Sequence, residues 1–204
     1  MLDVGFPPQT GKLLAVDYGA GKVLSVDPNT GASSVFMTVT DKHSGLDGIT
    51  FDAAGNVYVT DAHQGMIWKV GPDGDEASAW VNSPLLKPTR IPPTTGANGL
   101  AFNNKKTALF VTNTANDTIV KIPVTGSTLE PGTPEVFVNR IGGGPDGLKI
   151  DEHDNLWIAC NQSNLILVLE PTQGRDRQAR RFLRHRSRWG THRLSLVEQP
   201  GIPR

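Results

Sequence analysis

Short apolar runs alternate with polar turns along this chain, and the alternation recurs. Leu148-Lys149-Ile150 passes through the polar turn Asp151-Glu152-His153-Asp154-Asn155 into Leu156-Trp157-Ile158-Ala159-Cys160. Ile49-Thr50-Phe51 passes through Ala53-Ala54-Gly55-Asn56 into Val57-Tyr58-Val59-Thr60-Asp61, and Leu100-Ala101-Phe102 through Asn104-Lys105-Lys106 into Leu109-Phe110-Val111-Thr112-Asn113. Short apolar runs facing each other across a polar turn predict β-hairpins. An acid or amide followed by glycine opens three of them, at Asp47-Gly48, Asn98-Gly99 and Asp146-Gly147. A first copy opens at Leu2-Asp3 and returns through Leu13-Leu14-Ala15-Val16-Asp17.

The opening residues Asp3, Asp47, Asn98 and Asp146 are separated by 44, 51 and 48 residues. A third and often a fourth apolar stretch follows each hairpin, as in Val23-Leu24-Ser25-Val26 and then 32–39. Four strands per unit at this period is the pattern of a β-propeller blade. No segment before residue 172 keeps the 3.6-residue apolar period of a helix. Residues 82–96 interrupt the strands with Pro84, Pro88, Pro92 and Pro93, which withhold ladder hydrogen bonds and predict a long rim connection.

Charge divides the chain in two. Residues 1–171 carry 9 Lys and 2 Arg against 13 Asp and 5 Glu, a net of −7, whereas 172–204 carry 9 Arg and no Lys against Asp176 and Glu198, a net of +7. Residues 1–171 are therefore expected to form about three and a half blades, and 172–204 a disordered or non-native basic tail outside the fold. A lysine-free arginine run beginning mid-blade reads as GC-rich coding sequence translated out of frame. An arginine-rich nucleic-acid arm is the other reading; it is set aside because base-stacking aromatics are nearly absent and the rest of the chain is acidic.

No apolar run is long enough to cross a bilayer, and the first residues carry neither a basic nor an apolar leader region. The chain as written reads as cytoplasmic, with export of a longer parent protein as the alternative, and no membrane or nucleic-acid partner is expected. The single cysteine, Cys160, cannot form an internal disulfide. Cys160, Trp68, Trp80 and Trp157 fall on strands and read as packing residues. His43, His63 and His153 share no metal-ligand spacing; of these, His63 follows the second hairpin and is the candidate for substrate contact at the channel rim.

The segments 97–102, 144–151 with 156–160, and 14–17 with 21–24 resemble the senescence-marker-protein/gluconolactonase family. That resemblance implies a six-bladed propeller, here incomplete, which hydrolyses lactones or related esters with one divalent cation, calcium by preference and zinc, manganese or magnesium otherwise; an inactive truncated form is the other expectation. By motif, Asn98 and Asp146 match two family metal ligands, while Asp3 stands where the family carries a glutamate. Oxygen donors gathered from several strand starts suit a hard cation. Asp146 and Asp47 are the expected catalytic carboxylates, as general base and as its partner in orienting water or substrate. Leu46 replaces the Asn that gluconolactonases place before Asp-Gly. The competing reading is a non-enzymatic binding scaffold of the NHL type, in which the same acids and amides only satisfy backbone N–H groups.

Overall fold

The computed structural model describes residues 2–8, 10–89, 94–170, 179–186 and 192–197. The chain is all-β, in four antiparallel sheets. The first holds β1 (Val4–Gly5), β2 (Leu13–Asp17), β3 (Lys22–Val26) and β4 (Ser33–Thr38); the second β5 (Leu46–Phe51), β6 (Val57–Asp61), β7 (Met66–Val70) and β8 (Ser78–Asn82). The third runs β9 (Ala97–Phe102), β10 (Ala108–Asn113) and β11 (Thr118–Thr125), with β12 (Glu130–Pro131) and β13 (Glu135–Asn139) both pairing β11. β14 (Pro145–Ile150), β15 (Leu156–Cys160) and β16 (Leu165–Leu169) build the fourth. A 3₁₀ turn, Pro84–Leu86, capped by the Ser83 hydroxyl, occupies part of the Pro-rich connection, of which residues 90–93 lie outside the described residues.

Each interface between consecutive sheets has its own core, as strand alternation requires. Leu14, Val16, Val23 and Met37 meet Leu46, Ile49, Val57 and Val59 between the first and second sheets. Tyr58, Ile67 and Leu86 meet Leu100, Leu109, Val111 and Val120 between the second and third. On β10 the side-chain period of two sends Leu109 and Val111 to that core and Ala108 and Phe110 to the next, where they meet Leu148, Leu156, Ile158 and Leu167. β6, β9 and β10 are accordingly buried along their whole length. The two terminal sheets each bury one face. Leu2, Val4, Phe6 and Val35 stay exposed on the first, and Trp157 on the fourth. Trp157 is thus not the core residue its strand position predicts; it is 39% exposed, with the indole N–H donating to Asp151 at 2.9 Å. Cys160 packs in the core as expected.

The fourth sheet does not end at β16. Backbone strands β17 (Ala179–Arg186) and β18 (His192–Val197) continue it, β17 pairing β16 in the register Leu165↔Leu183 to Leu169↔Ala179. Composition carried no strand signal there, but β16 offers an unpaired edge of N–H and C=O groups, a template for any following strand. The rest of the Arg-rich segment, 171–178, 187–191 and 198–204, lies outside the described residues.

Candidate active site at the mouth of the inner strands

The inner strands β1, β5, β9 and β14 neighbour one another in that order. Three of them share a defect. Pairing of β5 with β6 slips between Leu46↔Asp61 and Ile49↔Val59, β9 with β10 between Ala97↔Asn113 and Leu100↔Val111, and β14 with β15 between Pro145↔Cys160 and Leu148↔Ile158. In each, two residues oppose one, so Asp47-Gly48, Asn98-Gly99 and Asp146-Gly147 are β-bulges opposite Thr60, Thr112 and Ala159. A bulge turns a side chain out of the strand's alternation, and here it turns the same position of three sheets. The glycines allow the close approach this requires: a Cβ on Gly48 would lie 2.6 Å from the Asn98 carbonyl, and one on Gly99 2.4 Å from Leu148 N.

The threonines opposite the bulges tie each sheet to the next. Thr60 Oγ1 accepts from Gly48 N at 2.8 Å and donates to the Asn98 carbonyl at 2.6 Å. Thr112 Oγ1 donates to the Asp146 carbonyl at 2.6 Å, and Thr114 Oγ1 to the Pro145 carbonyl at 2.8 Å. Asn98 and Asp146 therefore stand on the same rim in equivalent positions.

The predicted residues differ in what their oxygens do. Asp3 uses both: Oδ1 accepts from Val4 N at 2.8 Å, and Oδ2 from Ile49 N at 3.0 Å with Lys149 Nζ at 3.9 Å. It joins β1 to β5, the task Thr60 performs one sheet later. Asp146 Oδ2 accepts from Asn161 Nδ2 at 2.6 Å, and no described residue donates to its Oδ1. Asn98, 7% exposed, donates through Nδ2 to Thr114 Oγ1 at 3.3 Å, which leaves its Oδ1 without a donor among the described residues. Asp47, 8% exposed, has no side-chain hydrogen bond to a described residue. Burial first, then the Asp146 and Asp3 carboxylates, push its carboxyl up to about 7.

A buried, unpaired carboxylate beside two like charges is a local deficit of positive charge. Asn98 Oδ1, Asp146 Oδ1 and the Asp47 carboxylate are hard oxygen donors of the kind a divalent cation takes, so this donor set fits such an ion. Among the described residues no three His, Cys, Asp or Glu side chains close into a ligand cluster by themselves.

Two further side chains share the rim. Tyr18 lies in the turn after β2 and His63 in the turn after β6, the end of the sheets at which β5, β9 and β14 begin. Tyr18 Oη and His63 Nε2 are 2.5 Å apart, and His63 Nδ1 faces the His43 carbonyl at 3.3 Å. Asp61, wholly buried, anchors the His63 turn to the segment before β5 by accepting from Ser44 Oγ, Gly45 N, His63 N, Gln64 N and Trp68 Nε1. His63, the residue proposed from the sequence for substrate contact, lies in this rim turn, and Tyr18 beside it is a further candidate that the sequence did not single out. A depression of 330 Å³ lined by Lys12, Asp27 and Asn29 lies at the opposite end of the first sheet and holds none of these residues.

Residues 87–182, which span the Asn98 and Asp146 bulges, match the model of the SMP-30/Gluconolactonase/LRE-like region. Over those residues the chain is similar to the SMP-30/gluconolactonase/LRE-like family. The chain is 27% identical over 181 residues to a gluconolactonase of Zymomonas mobilis, an alignment covering 74% of this chain and 46% of that protein. The chain spans about half the length, or less, of the curated relatives it matches. A gluconolactonase structure from Xanthomonas campestris superposes with a TM-score of 0.66 at 16% identity, covering 82% of this chain and 57% of that one. A calcium-binding protein, regucalcin, from Agrobacterium tumefaciens superposes with a TM-score of 0.64 at 16% identity, covering 85% and 58%. At those identities the superpositions carry the fold, that of a propeller covered over part of its length. The SMP-30/gluconolactonase/LRE-like region thus includes two of the three bulges, and the Asp47 bulge repeats them one sheet earlier.

Proposed function

We propose that the chain serves metal-dependent hydrolysis of a lactone or related ester, at the rim where Asp47, Asn98 and Asp146 are turned out by successive bulges. That presentation of three oxygen donors, each with an oxygen or carboxylate that no described residue hydrogen-bonds, is the observation that carries the reading. Names borne by the relatives, two of them lactonases, support it.

Asn98 Oδ1 and Asp146 Oδ1 are the atoms that would hold the cation, calcium by preference. When bound, it supplies a Lewis acid at the substrate carbonyl and a counter-charge for the oxyanion. Asp47 is the general base: its buried carboxylate, with proton affinity raised toward neutrality, takes the proton of the water that attacks the carbonyl carbon. Asn161 and the Thr112 hydroxyl fix Asp146 by its side chain and its carbonyl. Asp3 holds β5, and with it Asp47, in register.

The test is hydrolysis of δ-valerolactone and δ-gluconolactone by the chain with and without calcium. Calcium-dependent turnover that Asp47→Asn lowers at least ~100-fold is expected, the usual reach of a general base. A second reading, a non-enzymatic NHL-like scaffold, is favoured by one observation: both Asp3 oxygens are engaged by the protein itself. Neither turnover nor any calcium effect would select it.

A further inference from the structure

Tyr18 and His63 come from the turns of adjacent sheets and meet edge-on, with ring centroids 5.3 Å apart and planes at 78°. The contact is built. His63 is seated over Gly45, where a Cβ would come within 2.8 Å of Nδ1, so no other residue leaves the imidazole its place. Its backbone N–H is held by Asp61 at 3.2 Å. A carbonyl only accepts, so Nδ1, facing His43 O, carries the proton of the neutral ring. Nε2 is then an acceptor, and the Tyr18 hydroxyl must donate to it. With its one proton committed, the phenol oxygen offers only lone pairs to whatever enters the mouth.

We propose that Tyr18, oriented by His63, is a positioning residue that accepts a hydrogen bond from a hydroxyl group of the substrate. The mouth therefore prefers hydroxylated lactones to bare ones. This rests on the hydrolytic reading for its substrate, and on hydrogen-bond geometry alone for its binding role. Burial and the nearby Asp47 and Asp61 carboxylates raise the Tyr18 phenol above its usual range, which keeps the hydroxyl protonated and the donor–acceptor order fixed.

Tyr18→Phe removes the acceptor and little else. Comparison of δ-gluconolactone with δ-valerolactone is expected to show KM for the hydroxylated lactone rising about 3- to 10-fold, the worth of one hydrogen bond, with kcat and the bare lactone unchanged. His63→Ala, which frees the phenol proton, lowers the same preference. A preference retained in Tyr18→Phe overturns the proposal, as does an equal loss on both lactones. If the wild-type chain hydrolyses neither lactone, the hydrolytic reading fails separately. Imidazole ¹⁵N resonances of His63 then decide the pair: 1,5-anhydroglucitol should shift Nε2 in the wild type and not in Tyr18→Phe, while tetrahydropyran shifts neither. An Nε2 signal unmoved by 1,5-anhydroglucitol, or an Nε2-protonated ring in the free protein, overturns the assignment.

Discussion

Asp47→Asn is the most informative single change, because it removes a buried charge while keeping the shape of the side chain. The Asp47 carboxyl titrates at about 7 in the fold against 3.8 for the free group. At about 1.36 kcal/mol for each tenfold change in proton affinity, that difference is worth on the order of 4 kcal/mol. The folded state binds the proton more tightly, so the stabilising contribution is complete below the unfolded value near 3.8. It is lost as pH rises toward about 7. In the variant the amide still lacks partners, at a cost of roughly 1–2 kcal/mol. Urea unfolding followed by circular dichroism in EDTA should therefore find Asp47→Asn more stable than wild type by about 2–3 kcal/mol at pH 8. In a chain of this length that corresponds to ~5–10 °C in Tm. At pH 4 the two should agree within about 1 kcal/mol. Parallel pH profiles, or a variant less stable at pH 8, would refute the electrostatic account of the mouth.

Other consequences follow from the stitching between sheets. Thr112→Val, which deletes the hydroxyl bonded to the Asp146 and Gly99 carbonyls, should cost about 1–3 kcal/mol by urea unfolding; a neutral result would mean the sheets do not depend on that bond. Gly99→Ala drives a Cβ to 2.4 Å from Leu148 N and 2.6 Å from the Asp146 carbonyl, whereas Gly147→Ala meets only the Ala159 Cβ at 3.9 Å. The first should destabilise by ~2 kcal/mol or more and the second by less than ~0.5 kcal/mol, and equal melting temperatures would contradict the packing described. Tyr18→Phe should raise KM for a hydroxylated lactone while sparing a bare one, as measured by initial rates.

Much of this architecture was legible in the sequence because strand alternation and the blade period are local signals. Leu109/Val111 and Ala108/Phe110 declare two buried faces, and the recurrence of an acid or amide before Gly places Asp47, Asn98 and Asp146 in register. The bulge itself was not read. Alternation alone does not distinguish two residues opposing one, and the glycine after each acid or amide was its only mark. Nor could the division of labour be read among equivalent residues. Asp3 matches Asp47 by repeat, yet its partners Ile49 and Lys149 come from other sheets. The Tyr18–His63 contact joins turns 45 residues apart, and no spacing rule announces it. The pairing of Ala179–Arg186 on β16 was hidden by an arginine-dominated composition that carries no strand pattern.

Calcium binding, followed as thermal stabilisation of the wild-type chain beside Asn98→Ala and Asp146→Ala, tests the central claim most directly, since an ion specific to the native state raises stability by mass action. The account predicts a melting temperature that climbs with calcium in the wild type and stays flat in both variants. A wild-type melting temperature indifferent to calcium, or one raised equally in all three proteins, would contradict it.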